Sequence, residues 1–473
     1  MEVRSGSGNI VDISRMDIFP MTLPIGIFRI DSSSFWSGSA AELRFHLNFP
    51  RGLMGIGIFR IAVGGAILLG FTASLLVSCI PSASAQTQPF LGVELEFLDQ
   101  YELPSQIIEG TQLGGLSAIA YDARRDLLYV LSDDHGGMTS PHFYTLSLDL
   151  ATDSLVTDSL ATGSTQPRIK DIEVESVTFF TDAQGTPYPA NALDPEGLAL
   201  SPQDTLYVAS EGLNPQEIQP LLSEFDLKGQ FQHQLPVPQR FQVAIDPQSR
   251  RQQRGVQSNM GLESLTLAPA GIGVNGQLLR LFTANEAPLV QDLDPELEAE
   301  GGRNRFLHYY LGAGPPVLLA EYLYPLETVP FALINGLSEI LALDNGGHFL
   351  ALERALTPFG FQIKLFEISL AGASDISARS SLQGNLNNIN KIQKRLVLNF
   401  NDLEVPLRNL EGISFGPQLP DGSQSLILVS DNNFNGQEST QFLWFRLLAS
   451  SPTDRRGNSL AGKQTGLFNL EMS

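Results

Sequence analysis

The sequence predicts an all-β protein, a β-propeller, from three observations. A strand-turn-strand motif recurs five times at steps of roughly 70 residues. Further strand-like runs follow the copies, giving the four-stranded composition of a propeller blade. A strand-like run before the first copy, Leu91–Leu98, matches a strand missing after the last.

The cleanest copy runs from Asp194 to Glu211: Asp-Pro-Glu-Gly-Leu-Ala-Leu, a Ser-Pro-Gln-Asp turn, then Leu-Tyr-Val-Ala-Ser-Glu. The first copy is weaker, with Gly115-Leu-Ser-Ala-Ile-Ala-Tyr leading to Leu128–Asp133. The third leads from Gly261-Leu-Glu to Asn285-Glu286, the fourth from Gly336-Leu-Ser-Glu339 to Glu353, and the fifth from Leu410-Glu411-Gly to Asp431. Alternating apolar residues around a polar turn make each copy a hairpin. The runs 222–227 with 230–235, 306–311 with 317–322, and 362–368 with 395–400 supply the third and fourth strands. The last unit has only a third strand, Phe442–Leu448, so Leu91–Leu98 is expected to complete it and close the ring, removing exposed edges. A sixth blade has room at 150–195 or 371–395; an array of β-sandwiches is the competing architecture.

Antiparallel pairing puts the leading Glu and the trailing acid of a copy at one end of the hairpin, on strands about 4.8 Å apart. Glu196 is therefore expected near Glu211, Glu263 near Glu286, Glu339 near Glu353, and Glu411 near Asp431, all on one face of the ring. Carboxylates that close do not ionise together without a cation or a shared proton. With Asp133, Asp134 and Asp194 these acids form the expected metal-ligand set, and an all-oxygen set suits Ca2+. The alternative is that a recurrent acid simply marks entry to the strand.

The most concentrated local cluster is Ser132-Asp133-Asp134-His135-Gly136-Gly137. It reads as a cation-binding loop with His135 as an acid–base group, or as a tight polar turn. His135 and Glu411 are the candidate proton-transfer groups. Arg354, Arg303 and Arg305 are the candidate contacts to a small anionic substrate; the bland alternative for each is surface solvation. A cysteine pair is missing, which argues against a zinc site built on cysteines.

The formal net charge is −22, nearly all of it beyond residue 85. Nucleic acid is excluded as a partner, since phosphate backbones need a basic face. The N-terminus reads in the order basic, apolar, small: Arg51, the apolar stretch Ile56–Ile80, then Ser82-Ala-Ser-Ala. That is the order of a secretory signal, and Leu76-Val-Ser-Cys79 resembles a lipobox with Cys79 as the acylated residue. An uncleaved helix is the alternative, since the apolar run is long enough to span. Cys79 is the only cysteine, so no disulfide framework exists. The expected division is 1–53 as an extension, 54–85 as signal, 90–449 as propeller and 450–473 as a polar tail. The chain is expected to act as a monomer outside the cytoplasm, in the periplasm or envelope or secreted.

The copies Asp194-Pro-Glu-Gly-Leu…Leu-Tyr-Val-Ala-Ser-Glu-Gly212 and Asn259-Met-Gly-Leu-Glu-Ser-Leu…Thr-Ala-Asn-Glu286, with the opening Gly115-Leu-Ser-Ala-Ile…Leu-Ser-Asp-Asp134, resemble the phytase-like domain, also labelled "esterase-like activity of phytase". The resemblance spans roughly 90–449. It implies a secreted or periplasmic propeller whose recurrent acids carry phosphoester hydrolysis. The signatures of β-propeller phytases, Asp-Ala-x-Asp-Pro-Ala-Ile-Trp and Asn-Asn-Phe-Asp-x-Arg, are missing, and Asp431-Asn-Asn-Phe-Asn435 only echoes the second. Phytate is therefore not implied. The expected function is a calcium-dependent phosphoesterase; a calcium-stabilised binding propeller and a propeller lactonase are the alternatives.

Overall fold

The computed structural model describes residues 2–4, 10–12, 89–133, 139–151, 167–212, 218–273, 276–294, 301–436 and 438–449. The chain divides into two compact units, Met1–Ala83 and Ser84–Ser473. In the first, Glu2–Arg4 pairs antiparallel with Ile10–Asp12. The expected signal segment, Cys79, the C-terminal tail, Asp134 and His135 lie outside the described residues. Among the described residues no helix is long and apolar enough to cross a membrane.

The second unit is a five-bladed propeller. Blade 1 comprises Leu116–Asp122, Leu127–Ser132, His142–Ala151 and Arg168–Phe179, from the inner strand outward. Blade 2 comprises Pro195–Leu200, Thr205–Ser210, Leu221–Asp226 and Phe231–Leu235. Blade 3 comprises Leu262–Gly273, Gly276–Asn285, Gly302–Leu311 and Val317–Leu326. Blade 4 comprises Ile334–Ala342, His348–Thr357, Gly360–Ser369 and Gln393–Asn399. Blade 5 takes Asn409–Phe415, Gln424–Asp431 and Thr440–Ala449, and its outer strand is Val93–Leu103. The expected closure is thus present: Thr440 pairs with Leu103 and Ala449 with Val93, antiparallel. The five inner strands touch one another in sequence around the ring, the fifth against the first. Every strand of the ring lies between residues 93 and 449.

The two stretches with room for a sixth blade do other work. Residues 150–195 hold the end of the third strand and all of the outer strand of blade 1. Residues 371–392 run as turns along the outer strand of blade 3. There Ile376 N and Ile392 N donate to the carbonyls of Glu321 and Leu323, and Ile376, Leu382 and Leu386 cover Leu323.

Turn chemistry and packing account for these elements. Asp204 sits at φ 62° in the Ser-Pro-Gln-Asp turn and Gly347 at φ 96° in Asp-Asn-Gly-Gly, conformations that Asp and Gly tolerate. Apolar side chains fill the wedges between blades. Phe180 bridges blades 1 and 2 with its centroid 5.5 Å from Phe143 and 4.5 Å from Phe225. Phe282, Phe306 and Phe349 do the same between blades 3 and 4. Fully burying one such ring is worth about 1.5–3 kcal/mol.

Candidate metal centre

One local irregularity recurs in every blade. The pairing of the inner and second strands skips one residue near the start of the inner strand: Ser117, Glu196, Glu263, Ser338 and Glu411 in turn. A β-bulge adds an unpaired residue and re-aims its side chain. On the second strand, one residue past the partner of the residue that precedes the bulge, stand Asp133, Glu211, Glu286, Arg354 and Asp431. Two rings of residues therefore face the axis, one at the bulges and one at these second-strand positions. The Gly of Glu-Gly-Leu follows from the same crowding: a Cβ on Gly197 would lie 2.7 Å from the Glu263 carbonyl oxygen of the next inner strand.

The rings bring together Asp133, Asp194, Glu196, Glu211, Glu263, Glu286, Glu411 and Asp431, each no more than 8% exposed. Asp194 joins because it precedes the bulge of blade 2, where its carbonyl accepts from Glu211 N at 3.0 Å. Single carboxylate oxygens of Asp194, Glu196 and Glu211 all lie within 4.8 Å of one another. Glu211 Oε2 also accepts from Gly261 N at 2.6 Å, tying the trio to blade 3. A Cβ on Gly336 would lie 2.2 Å from Glu286 Cγ, so the fourth copy opens on glycine to admit the acid of blade 3.

Blade 4 departs from the pattern. Ser338 stands where three other blades carry Glu, and Arg354 where all four carry an acid. The Arg354 Nη2 lies 2.8 Å from Glu286 Oε1, 3.2 Å from Glu411 Oε1 and 3.9 Å from Glu263 Oε1. Its Nε donates to Ser338 Oγ at 3.2 Å, so the two exchanged residues hold each other. Counting from Gly-Leu rather than from Glu would have found this phase, because Gly115-Leu-Ser, Gly261-Leu-Glu and Gly336-Leu-Ser place the bulge at their third residue.

Four expectations are corrected accordingly. Glu339 lies one residue past the bulge, and its Oε1 accepts from Leu265 N at 2.8 Å and Ile340 N at 2.9 Å between blades 3 and 4. Glu353 pairs with Leu337 inside the blade and is occupied by Tyr324 Oη and Lys394 Nζ. Neither joins the axial cluster. Arg305 is fully buried in the third strand of blade 3, with Nε 2.6 Å from Asp292 Oδ2 and Nη1 3.4 Å from Glu321 Oε1. Arg303, two residues earlier, donates to the carbonyls of Leu382 and Gly384. Both arginines tie blade 3 to the 371–392 segment, because a buried guanidinium needs its charge and its five donors satisfied. Arg354 is at the centre, with its charge committed to the acids around it.

Electrostatics separate two halves of the cluster. Burial, then the neighbouring carboxylates, hold Glu196 and Glu211 well above the usual carboxylate range, and the charges that bear most on them are all acidic. Burial also raises Glu263, Glu286 and Glu411, but here Arg354 opposes the shift. Burial and then Asp133 push Asp431 up to about 7. Those carboxylates hold Arg354 charged against the burial that disfavours it. Arg354 thus bears on one half of the cluster, whereas the charges that bear most on Glu196 and Glu211 are acidic.

The donor set of that second half fits a hard cation. Three carboxylate oxygens within 4.8 Å of one another can surround one ion at the 2.3–2.6 Å distance typical of calcium. Asp194, Glu196 and Glu211 are the residues that would hold it, with Asp133 and Glu263 among the charges felt by Glu196.

Comparison with known proteins bears on fold and family. A search of curated protein sequences found no match. The catalytic domain of a GH62 α-L-arabinofuranosidase from Coprinopsis cinerea is 11% identical, covering 76% of this chain and 98% of that one at a TM-score of 0.36. An α-L-arabinofuranosidase from Lactobacillus brevis is 11% identical, covering 70% and 90% at a TM-score of 0.34. Overlap at that level assigns neither substrate nor chemistry. The sequence profile described as "Phytase-like: Esterase-like activity of phytase" matches residues 111–434, from the first blade to the loop after the second strand of the last, and the chain belongs to that family.

Proposed function

We propose that this propeller is a calcium-dependent phosphoesterase-like hydrolase acting outside the cytoplasm. The observation that carries the reading is the buried trio Asp194, Glu196 and Glu211, whose carboxylate oxygens lie within 4.8 Å of one another. A calcium ion bound there would neutralise a phosphate and lower the pKa of a water. The protein's own contribution is to hold the three carboxylates in place: Gly261 N fixes Glu211, and the bulge aims Glu196. Glu411, whose carboxyl is raised by burial while Arg354 opposes the shift, is the candidate proton-transfer group. Family membership supports hydrolysis of an ester, and the basic–apolar–small order of residues 51–85 supports export, with Cys79 lipid or an uncleaved helix as the means of membrane attachment.

A second reading is favoured by burial of all eight acids, each at most 8% exposed. In it, calcium is structural and the propeller binds a ligand without turning it over. Residues 86–473 contain every strand of the ring, so that fragment serves for the test. Turnover of a phosphomonoester, a phosphodiester and a lactone is measured with calcium and with chelator. Calcium-dependent phosphoester hydrolysis that E196Q abolishes supports the first reading. Calcium-dependent thermal stabilisation without turnover sinks it and leaves the second. Lactone turnover alone points to a propeller lactonase.

A further inference from the structure

Blade 4 differs from its neighbours in height as well as in charge. In blades 1, 2 and 3 the pairing of inner and second strands ends at Leu116–Ser132, Pro195–Ser210 and Leu262–Asn285, and in blade 5 it ends at Asn409–Asp431. In blade 4 the rung equivalent to Asn409–Asp431 is Gly336–Arg354, and two more follow, Asn335–Ala355 and Ile334–Leu356. Leu333 N then donates to the Leu356 carbonyl at 2.7 Å. The third strand joins without a loop, with Leu356 paired to Phe361 and Thr357 to Gly360. The result is a three-stranded tongue that rises about 7 Å beyond the acid cluster, on the face where the bulges lie.

Its tip is apolar. Phe331 is 78% exposed, Leu333 69% and Phe359 86%, among the described residues the three most exposed large hydrophobic residues apart from Ile107, which equals Leu333. Phe331 sits at φ 62°, a left-handed conformation that is costly for a bulky residue and that glycine or asparagine would adopt more easily. No charged residue occurs in 329–335 or 355–363, in a chain where 17% of residues are charged and the net charge is −22. The cleft of about 200 Å³ at its base is lined by Asp292, Arg303, Thr328 and Asn335, and none of the three exposed residues faces into it.

We propose that this tongue docks the acid-bearing face of the propeller onto a neutral, zwitterionic lipid surface. Residues that project outward suit an extended apolar phase, whereas a small ligand is held by residues lining a concavity. The charge-free tip lets a strongly acidic protein approach a lipid surface, and net charge selects against an anionic one. The inference stands on the geometry of blade 4 and needs neither calcium nor turnover.

The test uses residues 86–473, which lack the apolar N-terminal stretch, and vesicles of phosphatidylcholine in a flotation assay with chelator present. The wild-type fragment is expected to float with the vesicles, and F331S/L333S/F359S to partition at least ten-fold less. Adding phosphatidylserine is expected to reduce wild-type binding at low salt. An unchanged calcium-induced thermal shift in the triple variant shows that the propeller is intact. Failure of the wild-type fragment to float overturns the proposal, as does equal flotation of the triple variant. Loss of activity on a soluble phosphomonoester without any vesicle binding also overturns it, by making the tongue a substrate contact. Because flotation is read in chelator, its failure is distinguishable from failure of the hydrolase reading.

Discussion

At the bulge and at the matching second-strand position, blade 2 carries Glu196 and Glu211, whereas blade 4 carries Ser338 and Arg354. Both blades skip one residue at the same place in the inner strand, although the pairing of blade 4 continues further beyond it. Blade 4 supplies a guanidinium that contacts Glu263, Glu286 and Glu411 from its neighbours on both sides. Blade 2 adds a third acid, Asp194, to its own pair. The comparison separates fold from function. The bulge is what the blade requires, and the identity of the residue on it is free to be serine. The acids on the blade 2 side then have a chemical consequence: three carboxylates close enough to share one cation.

The largest effect is expected from removing the internal cation. R354A leaves Glu263, Glu286 and Glu411 buried without the guanidinium, and loss of one member of a buried charge pair costs about 3–5 kcal/mol. Denaturant unfolding in chelator measures it. If the comparison is right, calcium rescues part of that loss and calorimetry finds a second bound ion. If R354A is as stable as wild type in chelator, the guanidinium is not balancing the cluster.

Calcium on the wild-type protein should come next. At free calcium 100-fold above the dissociation constant, linkage predicts about 2.7 kcal/mol of stabilisation. E196Q is expected to lose it, while E353Q, on the same face but tied to Tyr324 and Lys394, keeps it. The metal-free protein should also respond to pH with a sign opposite to that of most acids. Asp431 is raised to about 7, so its folded state binds the proton more tightly than the unfolded one. Its contribution is fully present below about pH 4 and is lost as pH rises through about 7. Stability in chelator should therefore fall from pH 4 to pH 8, and calcium should flatten the curve. A rise over that range would contradict the raised pKa values.

The fold was legible because its signals are local and repeated. Alternation and turn residues gave the hairpins, and an unmatched strand at each end gave the closure. The pairing of Glu196 with Glu211 followed from antiparallel geometry alone. The fourth copy misled because its Glu339 mimics the recurrent glutamate, when the bulge falls on Ser338. A bulge is set by backbone pairing and leaves no residue signature, so only alignment on Gly-Leu would have revealed it. Arg303 and Arg305 misled for a different reason: burial depends on the 371–392 segment packing across blade 3, a contact between residues far apart in the chain. Arg354 was placed near the correct face, but whether a cation meets substrate or neighbouring acids depends on three dimensions.

The smallest effect sharpens that correction. E339Q keeps an oxygen for Leu265 N and Ile340 N, so a change below about 1 kcal/mol is expected, with the calcium shift intact. A lost calcium shift in E339Q would put Glu339 back in the cluster.

The central claim is one cation site, on the blade 2 side. Isothermal calorimetry of calcium binding to chelator-stripped residues 86–473 tests it most directly. One bound ion per chain, abolished in E196Q and unchanged in E339Q, is the predicted result; no binding, or binding that E196Q leaves intact, would contradict it.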